Sequence, residues 1–381
     1  MIYLDNAATT YPKPECVYKA VDNIQRTLAV NAGRGSYKAA QAASQLITET
    51  REQIAVLTKA DSSSNVILTP SATIALNQII GGIEWNSMMN VYVSPFEHNA
   101  AIRPLAIAAE KYGFSIIIMP FDSATQQLDE QKLLSMFTTK RPDVVFVTHM
   151  SNVTGTILPV RTINSAAKKY GAVTVVDASQ SMGMIDMNIH HLCADYIVFA
   201  GHKNLYGHLG AGGFICGNRC TLTPFLAGGT GSDSLNVKMP EAVPDRFEPA
   251  SHDIIAIAAL NASLKWIESI GVGNIFKHKK EITDYAAELL HHNNDLKLYL
   301  PTDMSEHVAV ISLNHESYLP EELAAILDGD FDIAVRNGYH CAPYVHDLLG
   351  TRDRLGTVRI SVGYFTTKSD IDALSDALNE L

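Results

Sequence analysis

Four short apolar runs, each closed by polar residues, constrain this chain most: NVYVSPFEHN (90–99), DVVFVTHMSN (143–152), AVTVVDASQ (172–180) and DYIVFAGHK (195–203). Near-continuous Val, Ile and Phe without alternation marks strands buried on both faces, and the segments between them, such as AAIRPLAIAAEKYG (100–113), carry helical patterns. The expectation is an α/β fold with a mostly parallel sheet. Ligands of such sheets bind beyond the carboxyl ends of the strands, where His98, Asn152, Asp177, Gln180 and Lys203 all fall.

The pattern changes late in the chain. VKMPEAVPDRFEPASHD (237–253) carries three prolines and no period, so it reads as an extended connector. A helical stretch (254–271), alternating strands within 297–314, another helix and TVRISVGYF (357–365) follow. This reads as a smaller α+β domain beside a large one, with the N-terminus packed against the smaller: 13–253 for the large domain, 1–12 and 254–381 for the small. A length of 381 residues with 47% hydrophobic content supports two such units.

Charge narrows the partners. Twenty-nine basic against 40 acidic residues give a net charge of −11, which leaves no electrostatic footprint for nucleic acid or anionic lipid. No apolar run reaches the roughly eighteen residues of a membrane span, and the N-terminus lacks a secretory pattern, so a cytoplasmic protein acting on a small molecule is expected. The five cysteines include no CxxC pair, so neither a disulfide framework nor a metal site is expected.

Chemistry enters at the strand ends. Asp177 could cap a following helix or hold a ring nitrogen protonated. Lys203 ends the next strand, and an aspartate and a lysine on neighbouring strands can bracket a flat heteroaromatic cofactor in the manner of pyridoxal phosphate. ILTPSATIALNQIIGG (67–82) runs through Ser71, Ala72 and Thr73 into a helix, offering free N–H groups to an anion, although Ser71 as a plain cap fits the same residues. His98 could stack on a ring face or be an ordinary loop residue. A dinucleotide site is excluded, because the glycines of GHLGAGGF (207–214) lead into FIC rather than a helix.

VDASQS, FAGHKNLYG, SATIALN, EHNA, HMSNVTG, RFEPAS, RNGYHCAP and GTVRISVGYFTT together resemble the motifs of the class V aminotransferase superfamily. They are most similar to the cysteine desulfurase and selenocysteine lyase group with an Arg-x-Gly-x-His-Cys-Ala loop, over nearly the whole chain from YLDNAATT onward. The resemblance implies fold type I, pyridoxal 5'-phosphate as cofactor, a homodimer with shared active sites, and an L-cysteine or L-selenocysteine substrate, with a sulfur-acceptor protein as a further partner. It implies Lys203 as the Schiff-base lysine, Asp177 at the pyridine nitrogen, Gln180 at the ring hydroxyl and His98 on the ring face. Ala72, Thr73 and His202 are similar to the phosphate cradle, with Ser251 reaching the phosphate of the neighbouring subunit. Asn152 and Arg359, with Asn6 and Ala7 of the N-terminal motif, take the substrate side.

Cys341 is then the nucleophile toward the substrate sulfur. VRNGYHCAPY (335–344) sets it among Gly338, His340 and Arg336, which favours a thiolate. Cys193 and Cys216, in apolar surroundings, read as structural. Arg359 alternates with Val358 and Ile360, so it shares a face with Ser361 and Gly363, whose small size leaves room for a carboxylate on the guanidinium fork. The expected reaction is conversion of L-cysteine to L-alanine with sulfur left on Cys341 as persulfide. Selenocysteine lyase, other C–S lyase or class V aminotransferase chemistry at the same site stays open, as does a binding protein with a degenerate site, against which intact Lys203, Asp177 and His98 argue.

Overall fold

A computed structural model describes residues 1–33, 35–217, 220–232 and 235–381. The chain opens with a two-residue strand, β1 (Ile2–Tyr3). A seven-stranded sheet takes the next seven: β2 (Val66–Thr69), β3 (Asn90–Val93), β4 (Ser115–Ile118), β5 (Val144–Thr148), β6 (Val173–Asp177), β7 (Tyr196–Ala200) and β8 (Gly212–Cys216). Their order is β2-β8-β7-β6-β5-β3-β4. Six strands share one direction, and β8 runs antiparallel to both its neighbours.

The apolar runs form strands because both faces of the sheet are covered. Val145 and Val147 of β5 enter one hydrophobic cluster and Val144 and Phe146 the other. Helices Ala72–Gly82 and Asn99–Tyr112 pack in the second cluster, and helix Ile254–Ile270 in the first. Of the glycine cluster that leads into FIC, Gly212 and Gly213 belong to β8, while Gly207 and Gly210 precede it. An added Cβ at Gly213 would lie 2.1 Å from the Ile67 carbonyl oxygen, and at Gly212 2.9 Å from the Ala72 nitrogen, so β8 needs bare backbone to slot between β2 and β7.

Beyond the connector, β9 (Leu296–Leu298), β10 (Val310–His315), β11 (Ile333–Ala334), β12 (Arg336–Gly338) and β13 (Thr357–Ser361) follow. Four of them form an antiparallel sheet in the order β12-β13-β10-β9, and β11 pairs with β1 in parallel. The N-terminus therefore packs on the C-terminal part: Leu4 N donates to Ala334 O at 2.9 Å and Ser361 N to Leu4 O at 2.6 Å. Val310, Leu313, Val358 and Ile360 of this second sheet join the same cluster as Val145 and Val147. Among the described residues no single helix is long and apolar enough to cross a bilayer.

The connector is tied down by one buried carboxylate. Glu248 Oε1 accepts from Leu68 N at 2.6 Å, while Oε2 meets His252 Nε2 at 2.8 Å and the Arg51 guanidinium. Removing one member of a buried pair strands the other, so Glu248→Ala should lower unfolding stability by about 3 kcal/mol in urea titrations. A loss below about 1 kcal/mol would mean that this anchor is unimportant.

Candidate active site

A cavity of about 210 Å³ opens at the carboxyl ends of the parallel strands, lined by residues from the N-terminal loop, the large sheet and the second sheet. Its charged lining residues are Lys203, Arg336, Arg359 and Asp177, three cations against one carboxylate in a chain of net charge −11. That balance suits an anionic ligand.

Lys203 stands on a turn just past β7. Gly201 N donates to Ala211 O at 2.9 Å, Tyr206 N to Lys203 O and Gly207 N to Gly201 O, both at 2.8 Å. The carbonyl of His202 gathers four donors: Thr10 N at 3.2 Å, Thr9 Oγ1 at 3.0 Å, Thr10 Oγ1 at 3.2 Å and Lys13 Nζ at 2.7 Å. Burial pushes the Lys203 amine down to about 8; Asp177 opposes the shift, and Arg359 and Arg336 add to it. The unprotonated fraction at neutral pH is a minority but far larger than for a solvated lysine, and an amine acts as nucleophile and base only in that form.

Asp177 closes β6 and is 7% exposed. Its Oδ1 accepts from Ser179 N at 2.9 Å, and among the described residues no protein donor reaches Oδ2. One oxygen thus fixes the carboxylate and the other faces outward with its lone pairs free. His98 caps helix Asn99–Tyr112: Nδ1 accepts from Ala100 N at 3.0 Å, which leaves the ring proton on Nε2. Burial, with Lys203 next, pushes His98 down to about 4, so it is a neutral ring. Behind it Glu97, 1% exposed, accepts from Ser94 Oγ at 2.5 Å and Thr148 N at 2.6 Å, and burial with nearby Asp177 raises it to about 8.

Ala72 and Thr73 open helix Ala72–Gly82 at the cavity wall, with Ser71 as cap: its Oγ accepts from Ile74 N at 3.3 Å. The capping role and the anion-binding role coexist, because one capped N–H leaves others free. His202 Nδ1 and Ser179 Oγ, on residues lining the cavity, are buried without a partner among the described residues. Burial pushes His202 down to about 3, so its ring is neutral.

On the other wall, Arg336 and Arg359 stand directly opposite each other across β12 and β13. Like charges so placed repel unless an anion intervenes. Arg359, 2% exposed, is held by Asp5 Oδ1 at 2.5 Å from Nη2 and by Asn152 O at 3.0 Å from Nη1, and its Nε has no partner among the described residues. The open face expected beside Ser361 and Gly363 is therefore partly taken by the N-terminal loop. Ser361 Oγ accepts from Ala7 N at 2.9 Å, and a Cβ on Gly363 would come 2.5 Å from Asn6 Oδ1.

The cavity lining brings together Ala7, Ala72, Thr73, His98, Asn152, Asp177, His202, Lys203 and Arg359 from the sequence candidates. Four others, Asn6, Gln180, Ser251 and Cys341, stand apart from it. Asn6 is a clamp, with its amide on Tyr3 O and Ser361 O and its oxygen on Tyr11 N. Gln180 donates to Ala7 O at 2.8 Å, keeping one hydrogen of that amide free. Ser251 is exposed. Asp5, Glu97 and Lys13 went unseen in the sequence; the placement of Asp5 within YLDNAATT and of Glu97 within EHNA offered a signal, and Lys13 had none.

Cys341 sits beside the cavity, not in its lining. It and His340 both have left-handed backbone, φ +57° and +48°. Such strain persists only when surrounded by constraint. Here Asn99 N donates to Cys341 O at 2.6 Å, Asn152 Nδ2 to His340 O at 2.8 Å, and His340 Nε2 lies 3.0 Å from both Thr357 O and Thr357 Oγ1. Arg336 Nη2 approaches Cys341 Sγ at 4.0 Å. His340 lies well below its ordinary value through burial, so the positive charge beside the thiol comes from Arg336.

The Lys203 shift has a stability consequence in the cofactor-free protein. The unfolded lysine holds its proton to 10.5 and the folded one only to about 8, so the unfolded chain binds the extra proton in that window and stability rises with pH there. Below it the penalty is full. The stability advantage of Lys203→Met over wild type should accordingly shrink from pH 7.5 to pH 9.5 in denaturant titrations; a gap that stays constant or widens would contradict the assigned shift.

The aminotransferase class-V family profile matches residues 2–374. A probable cysteine desulfurase of Methanothermobacter thermautotrophicus is 30% identical over 384 residues, spanning 100% of this chain and 94% of that protein. One from Vibrio cholerae is 30% identical over 392 residues, spanning 100% and 93%. The apo cysteine desulfurase of Thermococcus onnurineus superposes with a TM-score of 0.90 at 29% identity, covering 99% of this chain and 94% of that one. The desulfurase CsdA of Escherichia coli shares the fold, with a TM-score of 0.86 at 24% identity over 100% and 94% of the two chains. With its profile, its relatives and its sheet in agreement, the chain belongs to the aminotransferase class-V family.

Proposed function

We propose that this chain is a pyridoxal 5'-phosphate-dependent cysteine desulfurase that takes sulfur from L-cysteine onto Cys341 and releases L-alanine. The observation that carries the reading is convergence. A lysine amine held near neutrality, an outward-facing aspartate oxygen and an unpartnered arginine Nε share one cavity, and a strained cysteine loop stands at its edge.

The residues fit the cofactor. Lys203 would hold it covalently, Asp177 Oδ2 would face its ring nitrogen and neutral His98 its ring. The N–H groups at Ala72 and Thr73, with unpartnered His202 Nδ1, would meet its phosphate, and the free amide hydrogen of Gln180 its ring hydroxyl. Bound there, pyridoxal phosphate supplies an electron sink that acidifies the substrate Cα–H and weakens the Cβ–S bond.

The chain's own groups do the rest. Arg359 Nε and the Asn152 region receive the substrate carboxylate. The Lys203 amine takes the α-proton, which its depressed basicity permits near neutral pH. Arg336 favours the Cys341 thiolate, which attacks the substrate sulfur. The S–S bond forms on Cys341 as the Cβ–S bond breaks; the electron pair goes to Cβ, which takes a proton, and Lys203 returns the α-proton to Cα, completing alanine.

A homodimer follows from the same reading. Phe225 and Leu235 before the connector and Val237 at its start are 52%, 99% and 102% exposed, and exposed Ser251 is free to serve a second copy's phosphate. Half-exposed Cys341, beside exposed Tyr339, suits transfer to a sulfur-acceptor protein.

Two outcomes test this. Wild-type protein given cysteine without reductant should gain the mass of one sulfur on the Cys341 peptide, while Cys341→Ala keeps the cofactor's visible colour but releases no alanine; alanine formed at the wild-type rate by that variant would remove Cys341 from the reaction. Gly212→Ala pushes on Ala72 N, so its affinity for pyridoxal phosphate should fall about tenfold. Unchanged affinity would place the phosphate elsewhere.

A further inference from the structure

We propose that Lys279 is a positioning residue for the cofactor site, whose side-chain amine fixes Asn204 and, through it, the Lys203 turn and the Gln180 segment in one register. This rests on the proposed roles of Lys203 and Gln180 and goes beyond them to a residue of the C-terminal region.

Nothing in the stretch FKHKKEIT marks Lys279; it reads as one of several solvated cations on a helix. Yet it is 1% exposed on helix Val272–His291, and its Nζ donates to Asn204 Oδ1 at 2.6 Å. Among the described residues it has no carboxylate partner. Burial pushes it down to about 7, which loosens its hold on the proton and lessens the demand for a carboxylate. A methionine of similar length would fill the space without the desolvation cost. The amine therefore does something that an apolar side chain cannot.

It sets the direction of an amide. With the Asn204 oxygen held by Lys279, the Asn204 nitrogen points at Gln180 O and donates to it. Gln180 in turn donates to Ala7 O at 2.8 Å. Asn204, Gln180 and Ala7 are 4%, 4% and 5% exposed, so water does not compete for these bonds. A reversed amide would set its oxygen against the Gln180 carbonyl. Gly183 packs against the Asn204 backbone, where an added Cβ would lie 2.3 Å from the Asn204 carbonyl oxygen, so the two segments run in close contact. Asn204 directly follows Lys203, and Gln180 lies three residues past Asp177. One lysine thus holds the two segments that carry the covalent attachment and the ring contacts.

The holoenzyme and the cofactor-free protein both test this. In the holoenzyme, Lys279→Met should lower kcat about tenfold with KM for cysteine changed less than about twofold, and should move the pH midpoint of the visible band of the lysine-bound cofactor. Lys279→Gln, which can still donate to Asn204 Oδ1, should restore most of both. In the cofactor-free protein, amide exchange of the 201–207 and 180–184 segments should quicken at least about fivefold in Lys279→Met relative to helix Ile254–Ile270. A uniform loss of thermal stability with the spectral midpoint, kcat and relative exchange unmoved would reduce Lys279 to a packing residue. If the wild type proves colourless, the cofactor reading fails, while the exchange measurement still decides whether Lys279 holds the turn.

Discussion

An amine that ends a buried strand, and shares its cavity with two arginines, loses water without an adjacent pair to replace it. That is the condition of Lys203, and the surrounding structure is organised to maintain it. Four donors on the His202 carbonyl and a lysine on Asn204 grip the residues on either side, so the chain cannot relax the amine outward to solvent. Lys13 and Lys279, both pushed down to about 7 by burial, are only partly charged at neutral pH, which limits what they add to the positive field that already depresses Lys203.

The field itself is balanced from the far end of the chain. Arg336 and Arg359 oppose each other across two antiparallel strands, and Asp5 of the N-terminal loop meets one of them. This makes the short strand β1 more than a tail: its pairing with β11 carries Asp5 to Arg359 and Ala7 to the cavity. A substrate carboxylate entering beside Arg359 Nε would meet a guanidinium already oriented by Asp5 and Asn152 O, with less freedom left to lose on binding.

The sheet was legible because β5, β6 and β7 are buried on both faces, and such strands must be apolar throughout. The strand ends were legible for the complementary reason: polar residues following such runs must surface where ligands bind. The direction of β8 was not, since its two glycines carry no pattern and owe their identity to the backbones of β2 and β7. Nor was the share of Arg359 held by Asp5, 354 residues away, or the burial of Lys279 within a charged-looking helix. Local patterns fix which face a residue takes; only the folded chain decides which distant group meets it there.

The Cys341 loop sets the account apart from other chemistry that the same cavity could support. Two consecutive left-handed residues are held by bonds to Asn99, Asn152 and Thr357, which present the thiol next to Arg336 rather than in the core. Product analysis of purified protein given L-cysteine tests that claim most directly. Alanine appearing in step with enzyme-bound sulfur is the result the account predicts; pyruvate with free sulfide, and no sulfur on the protein, would contradict it.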